Sequence, residues 1–145
     1  MRLETFFPYR LAVVAEAFSR QLVAVYGREH GFSREEWRLL FLLEEAGTLD
    51  SLQLSQRTSL DKVQVSRAAT RLEEKGLIRR NADRENRRNV LVELTPEGLE
   101  MARESFLAQT DMEKRLLTML SPEEKEQLRT LLKRILLDLE ERGEV

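Results

Sequence analysis

The sequence predicts a mainly α-helical chain of the α+β class, six helices with a small antiparallel wing sheet, arranged as a winged helix-turn-helix. Three observations carry that prediction. Residues 52–75 hold two short helical patterns joined by the tight turn Thr58-Ser59-Leu60. Two runs rich in apolar and β-branched residues, Leu77 to Arg80 and Asn89 to Thr95, read as short strands. The loop between them, Asn81 to Arg88, is polar and carries three arginines, Arg84, Arg87 and Arg88.

The second helix of the pair organises the rest. Asp61 is placed to cap its N-terminus, and Gln64 three residues on completes a capping-box pattern. Val65, Ala68, Ala69 and Leu72 recur at spacings of three and four, so they share one small apolar face. The opposite face carries Lys62, Gln64, Ser66, Arg67, Thr70 and Arg71, side chains suited to base edges and phosphates. Gly76, just past Lys75, is where a stopping helix often needs a positive φ. Such a helix fits the major groove, and an arginine-tipped hairpin beside it reaches the backbone or minor groove.

The formal net charge of −2 argues at first sight against a nucleic-acid partner. Its distribution decides otherwise. Between Arg57 and Leu91 ten basic residues oppose five acidic ones, a local +5, while the remainder holds 14 basic and 21 acidic residues, or −7. A basic segment in an acidic body is the footprint of one face meeting phosphates. With 34% of the chain charged, a merely solvated surface is the bland alternative. The coincidence of the charges with the helix and wing positions favours DNA.

Cysteine is absent, which excludes disulfides and thiol redox sensing and fits a reducing compartment. The N-terminus lacks the apolar core of a signal peptide, and the run Leu39 to Leu43 is too short to span a bilayer. A cytoplasmic protein without a membrane partner is expected.

The remaining elements follow in order. Residues 8–28 form a first helix with the stripe Leu11, Val14, Ala15, Phe18, Leu22, Val25 and Tyr26, opened by Pro8 and left through Gly27 and Gly31. Ser33-Arg34-Glu35-Glu36 reads as a capping box for a second helix bearing Trp37, Leu40 and Phe41, which Gly47 ends. Thr48-Leu49-Asp50 is a short extended piece able to pair with the wing strands, and Asp50 or Ser51 caps the helix through Arg57. Leu60 is expected to tuck into the core between the paired helices. Thr95 caps and Pro96 begins a long helix running to about Leu120. Ser121-Pro122-Glu123-Glu124 opens the last helix, where Leu128, Leu131, Leu132, Ile135, Leu136 and Leu139 form a near-heptad stripe. So wide a stripe needs a partner. It points to a homodimer built on residues 1–32 and 96–145, flanking a DNA-binding domain of residues 33–95.

Several strings resemble the MarR family of bacterial transcription regulators across nearly the whole chain. Leu60 to Arg67 and Leu72 to Ile78 resemble the start and end of that family's recognition helix. Asp83-Arg84-Glu85-Asn86-Arg87-Arg88 resembles its wing signature, and Leu94 to Gly98 and Leu120 to Glu124 resemble the segments that open its last two helices. Asn86 departs from the pattern: it stands where the family usually has a second Asp, and it can cap a turn but cannot hold an arginine by charge.

The resemblance implies a homodimeric repressor of double-stranded DNA on a pseudo-palindromic operator, released by a small lipophilic or aromatic effector. On that implication Gln64, Ser66 and Arg67 approach base edges, with Arg67 the purine reader. Lys62, Thr70 and Arg71 bind phosphates. Arg84 and Arg87 are wing-tip candidates, and Arg88 pairs with Asp83 to shape the hairpin. Pro8-Tyr9-Arg10-Leu11 and Asp61 to Ala68 resemble members tied to aromatic-acid catabolism, some of which sense coenzyme A thioesters. Tyr9, Arg10, Phe18, Trp37 and Phe41 are therefore effector-pocket candidates, weighed against ordinary core packing.

Enzymatic and metal readings find little support. His30 is the only histidine, so zinc and haem lack ligands, and neither a nucleophile elbow nor a phosphate-binding glycine loop is present. No cofactor is expected. Two other readings stand beside the regulator: a winged-helix protein-interaction module without DNA binding, and an architectural DNA binder without sequence preference. The first would replace Arg67, Arg71 and the wing arginines with neutral or acidic residues, and here they are intact.

Overall fold

The structure, a computed structural model, describes residues 2–86 and 89–143. Arg87 and Arg88, two of the predicted wing residues, lie outside the described residues. A short 3-10 turn, Leu3–Thr5, precedes α1 (Phe7–Val23), which continues into a widened turn at Ala24–Glu29. There follow α2 (Arg34–Ala46), β1 (Leu49–Asp50), α3 (Ser51–Thr58), α4 (Lys62–Glu74), β2 (Ile78–Ala82), β3 (Val90–Leu94), α5 (Pro96–Leu116) and α6 (Pro122–Glu141). The six helices and three-stranded antiparallel sheet are the predicted class. The chain divides into two compact units, residues 1–109 and 110–145.

In the first unit, the sheet order is β1-β3-β2. The wing strands pair Ile78 with Leu94 through to Ala82 with Val90, and the short piece Leu49–Asp50 adds to the far edge, opposite Val92 and Leu91. The core is drawn from every helix of the reading head: Leu39, Leu40, Leu43, Leu54 and Leu72 are all but fully buried, and Val92 joins them from the sheet. Leu60 is buried between α3 and α4, as its position in the turn predicts.

Helix ends follow the local chemistry. Asp50 and Asp61 each accept from the backbone N–H three residues on, at 2.8 Å in both cases, and Gln53 and Gln64 return the bond. Ser59 takes a left-handed conformation (φ 60°) that turns the chain between the two helices. α4 stops at Gly76 (φ 74°), and Leu77 N–H bonds back to Leu72 O, so two buried leucines meet across the cap. Thr95 caps α5 by accepting from Gly98 N–H and also donates to Gly76 O. Gly98 is required by close approach: a Cβ there would lie 1.9 Å from Leu77 O.

Three expectations change. In place of one unbroken first helix over residues 8–28, α1 ends at Val23. The chain then widens so that Phe32 N–H reaches Tyr26 O at 2.8 Å, burying Val25 and Tyr26. Of the rest of the expected stripe, Leu22 packs partly buried against the core and Phe18 is half-buried, while Leu11 and Val14 stay exposed. The Ser33–Glu36 capping box is only half formed: Ser33 Oγ accepts from Glu36 N–H, but the Glu36 carboxylate turns inward to Lys75. The long helix ends at Leu116, and a turn in which Leu120 N–H bonds Leu117 O leads to Ser121, which is extended before Pro122 and caps α6.

In the second unit, Ser121 and Glu124 form a full capping box on α6. No residue of α6 is buried, and Leu128, Leu131, Leu132 and Leu136 are 41–50% exposed.

Candidate nucleic-acid interface

The interface candidates sit on α4 because its buried face is fixed. Val65, Ala68, Ala69 and Leu72 face the core, and small residues at 68 and 69 let α4 lie close against its neighbours. At 3.6 residues per turn, about 100° per residue, the stripe opposite that face holds Val63, Arg67, Thr70 and, at the far end of the helix, the acidic Glu74. All four are exposed, as are Lys62, Ser66 and Arg71, whereas Gln64 is half-buried. The structure thus brings the predicted α4 residues to one surface and adds Val63, an apolar residue that a reading confined to polar side chains misses.

Three of these residues are already engaged, among them Thr70, whose hydroxyl donates to Ser66 O at 2.9 Å. Gln64 Oε1 accepts from Asp61 N–H at 3.1 Å, leaving the amide NH2 free to donate. Arg71 Nη1 stands 3.8 Å from Glu36 Oε1, a carboxylate buried to 4% exposure. Lys75 Nζ holds the other oxygen of Glu36 at 2.7 Å, bonds Gly31 O and lies 5.2 Å from the Phe32 ring centre. Spacing could have exposed this network, since Glu36 shares the buried stripe of Leu39, Leu40 and Leu43 at i, i+3, i+4 and i+7.

On its other flank α4 is tied to the wing. Arg80 donates to both Glu73 oxygens, at 2.9 and 3.3 Å, and to Thr70 Oγ1 at 3.3 Å. That pairing holds the Glu73 carboxyl below its ordinary range and raises the Arg80 guanidinium. The sequence marks Arg80 only as part of a strand; alternation with buried Ile78 places it on the helix-facing side. Lys62, Ser66 and Arg80 also line a cleft of about 510 Å³ between α3, α4 and the sheet.

The wing itself is shaped by local bonds. Asp83 carboxylate accepts from Glu85 N–H at 2.9 Å, Asn89 N–H reaches Asn86 O, and Asn89 amide donates to Asp50 at 3.2 Å. Arg84 is exposed at the bend. The expected pairing of Arg88 with Asp83 involves a residue outside the described ones.

The effector candidates are spread out. Trp37 and Phe41 stack at 5.3 Å within a ladder that runs from Tyr26, 5.6 Å from Trp37, to Phe106, 5.1 Å from Phe41. Tyr9 and Arg10 lie exposed on the first turns of α1, and Phe18 is half-buried further along. Among the described residues no helix is long and apolar enough to cross a membrane, and no group of three or more His, Cys, Asp or Glu could hold a metal.

A family model described as the MarR family matches residues 30–89, the segment from the turn before α2 through the wing. The chain is 32% identical over 107 residues, 74% of its length, to the uncharacterized HTH-type transcriptional regulator YkoM of Bacillus subtilis strain 168. It is 31% identical over 105 residues to YdgJ of the same strain, likewise an uncharacterized HTH-type transcriptional regulator. The match spans 70% of YkoM and 64% of YdgJ, just under two thirds of the latter. Among solved structures, a probable transcriptional regulator from Pseudomonas aeruginosa superposes with a TM-score of 0.82 at 30% identity, covering 92% of this chain and 99% of that one. A single-site mutant of MarR from E. coli, complexed with operator DNA, gives 0.78 at 25% identity over 87% of this chain and 90% of that one. NadR in complex with 4-hydroxyphenylacetate also gives 0.78 at 25%, over 90% of this chain and 92% of that one.

Proposed function

The chain belongs to the MarR family of winged-helix transcriptional regulators, and on that premise we propose that it is a sequence-specific, homodimeric DNA-binding repressor released by a small aromatic acid. The observation that carries this reading is the surface of α4. Lys62, Ser66, Arg67, Thr70 and Arg71 are all exposed on a helix whose opposite face is buried, beside a wing presenting Arg84. A helix so placed enters the major groove with its N-terminal residues at base edges. Arg67 reads a purine, Ser66 and the free amide of Gln64 add polar contacts, and Lys62, Thr70 and Arg71 fix register on phosphates. The wing arginines, Arg84 with Arg87 and Arg88, take the backbone or minor groove. The operator complex of the related E. coli protein supports this use of the fold.

Residues 33–95 make the DNA-binding domain, and residues 1–32 and 96–145 the dimerisation helices. Support for the dimer comes from α1 and α6, each without a buried residue: α1 exposes Phe7, Leu11, Val13 and Val14, and α6 exposes a row of leucines. A two-fold pair sets the recognition helices about 34–36 Å apart, one helical turn of DNA. For the effector, the complex of NadR with 4-hydroxyphenylacetate and the aromatic ladder through Trp37 and Phe41 support an aromatic acid or its thioester, with Tyr9, Arg10 and Phe18 as further candidates.

Selection of bound duplexes from a random library at two salt concentrations tests the core of the reading. A palindrome with half-sites about one turn apart is expected. Salt-sensitive binding without an enriched motif would make the protein architectural, and no binding would leave an interaction module. Titrating 4-hydroxyphenylacetate into the protein–operator complex tests release; unchanged affinity at millimolar acid rejects that effector.

A further inference from the structure

We infer that Val63 is a specificity-determining residue that reads the C5-methyl group of a thymine, an inference that rests on the DNA-binding reading above. Val63 is the second residue of α4 and is 57% exposed. It stands opposite the buried face defined by Val65, Ala68, Ala69 and Leu72, in line with Arg67 and Thr70 at i+4 and i+7. The outermost point of the first turn is therefore a branched pair of methyl groups, in a ring of polar and charged neighbours. A single exposed valine means little on most surfaces. Here it occupies the N-terminal turn by which recognition helices touch base edges.

A second observation constrains the polar competitor for that role. The bidentate adenine contact of a glutamine needs its amide to accept and donate together. Gln64 Oε1 is committed to Asp61 N–H at 3.1 Å, while Asp61 Oδ1 holds Gln64 N–H at 2.8 Å. Releasing the oxygen would break the reciprocal half of the capping box. The cap fixes the direction of the Gln64 amide and leaves its oxygen one lone pair, and Gln64 is half-buried where Val63 is exposed. Val63 is thus the outermost side chain of the first turn, and the thymine methyl is the apolar feature of the major groove that it can contact.

The experiment uses the full-length chain and the site enriched from a random library. Each thymine in one half-site is replaced in turn by deoxyuridine, which removes only the methyl. Wild-type protein should lose affinity about fourfold at one position, as expected for one methyl group returned to water. Val63→Ala, a substitution that keeps the exposed helix intact, should bind the thymine site more weakly and show equal affinity for thymine and uracil there. The inference is overturned if no uracil substitution weakens wild-type binding, or if Val63→Ala keeps the full preference. Failure to bind any duplex would instead overturn the DNA-binding reading together with it.

Discussion

Lys75 Nζ lies 2.7 Å from Glu36 Oε2, joining the exit of α4 to the first turn of α2 through a carboxylate that is almost wholly buried. Removing one partner of a buried pair strands the other without its counter-charge. Lys75 and Arg71 are each roughly half exposed, 41% and 50%, so water takes over part of their share. Glu36→Gln should therefore cost on the order of 1–2 kcal/mol, less than a fully buried pair would. A shift of the urea midpoint at constant slope would show it, and an unchanged midpoint would mean that the pair contributes nothing.

Gly98 meets Leu77 O where α5 leaves the wing. Gly98→Ala puts a methyl carbon 1.9 Å from that oxygen unless backbone moves. The contact is with main chain on both sides, so relief requires separating α5 from β2. We expect a loss of at least about 2 kcal/mol, measured by thermal unfolding. Stability equal to wild type would show the junction to be far more compliant than its geometry indicates.

Arg67 and Arg71 should fail in different ways. Arg67→Ala removes the proposed base reader on the outer stripe and should narrow the gap between matched and mismatched duplexes by about 1–3 kcal/mol. Arg71→Ala should weaken both duplexes alike and reduce the salt slope by about one. Binding titrations on the two duplexes separate them. Equal losses of specificity would reject the division of roles.

Acid should weaken the fold through its caps. Asp50 is held below the ordinary carboxylate range first by Gln53 N–H and then by the Asn89 amide, Glu73 by Arg80, and Glu124 by Ser121 N–H. A depressed folded pKa stabilises the native state above the unfolded value and is lost as pH falls through the folded one. Stability should thus be level from neutral pH to about 5 and decline below about 4. Asp50→Asn should show a smaller decline than wild type over that window, followed by urea midpoints at each pH.

The terminal helices predict assembly. Leu132→Glu places a charge amid the exposed leucines of α6 and should turn a dimer into a monomer in sedimentation, with weaker operator binding. A wild-type monomer at micromolar concentration would reject the dimer outright.

Much of this molecule is legible in its chain because the governing interactions are local. Asp50, Asp61 and Ser121 cap helices through bonds three residues long, and Gly76 reverses the chain by its own positive φ, so sequence spacing alone announces them. The amphipathic face of α4 is equally local, since periodicity decides which residues turn inward. What tertiary structure decided are the contacts between segments distant in sequence. By spacing alone Glu36 is half of a capping box; α4 brings Lys75 to it across 39 residues. By spacing alone Arg80 is a strand residue; the wing folds it onto Glu73 and Thr70. The role of Gln64 changes for the opposite reason: its capping bond is readable, but only the exposures of Gln64 and Val63 on the folded helix show which of them faces outward. Periodicity specifies a face, whereas the partner of a charged group depends on which distant element packs against it, and that is settled only when the core closes.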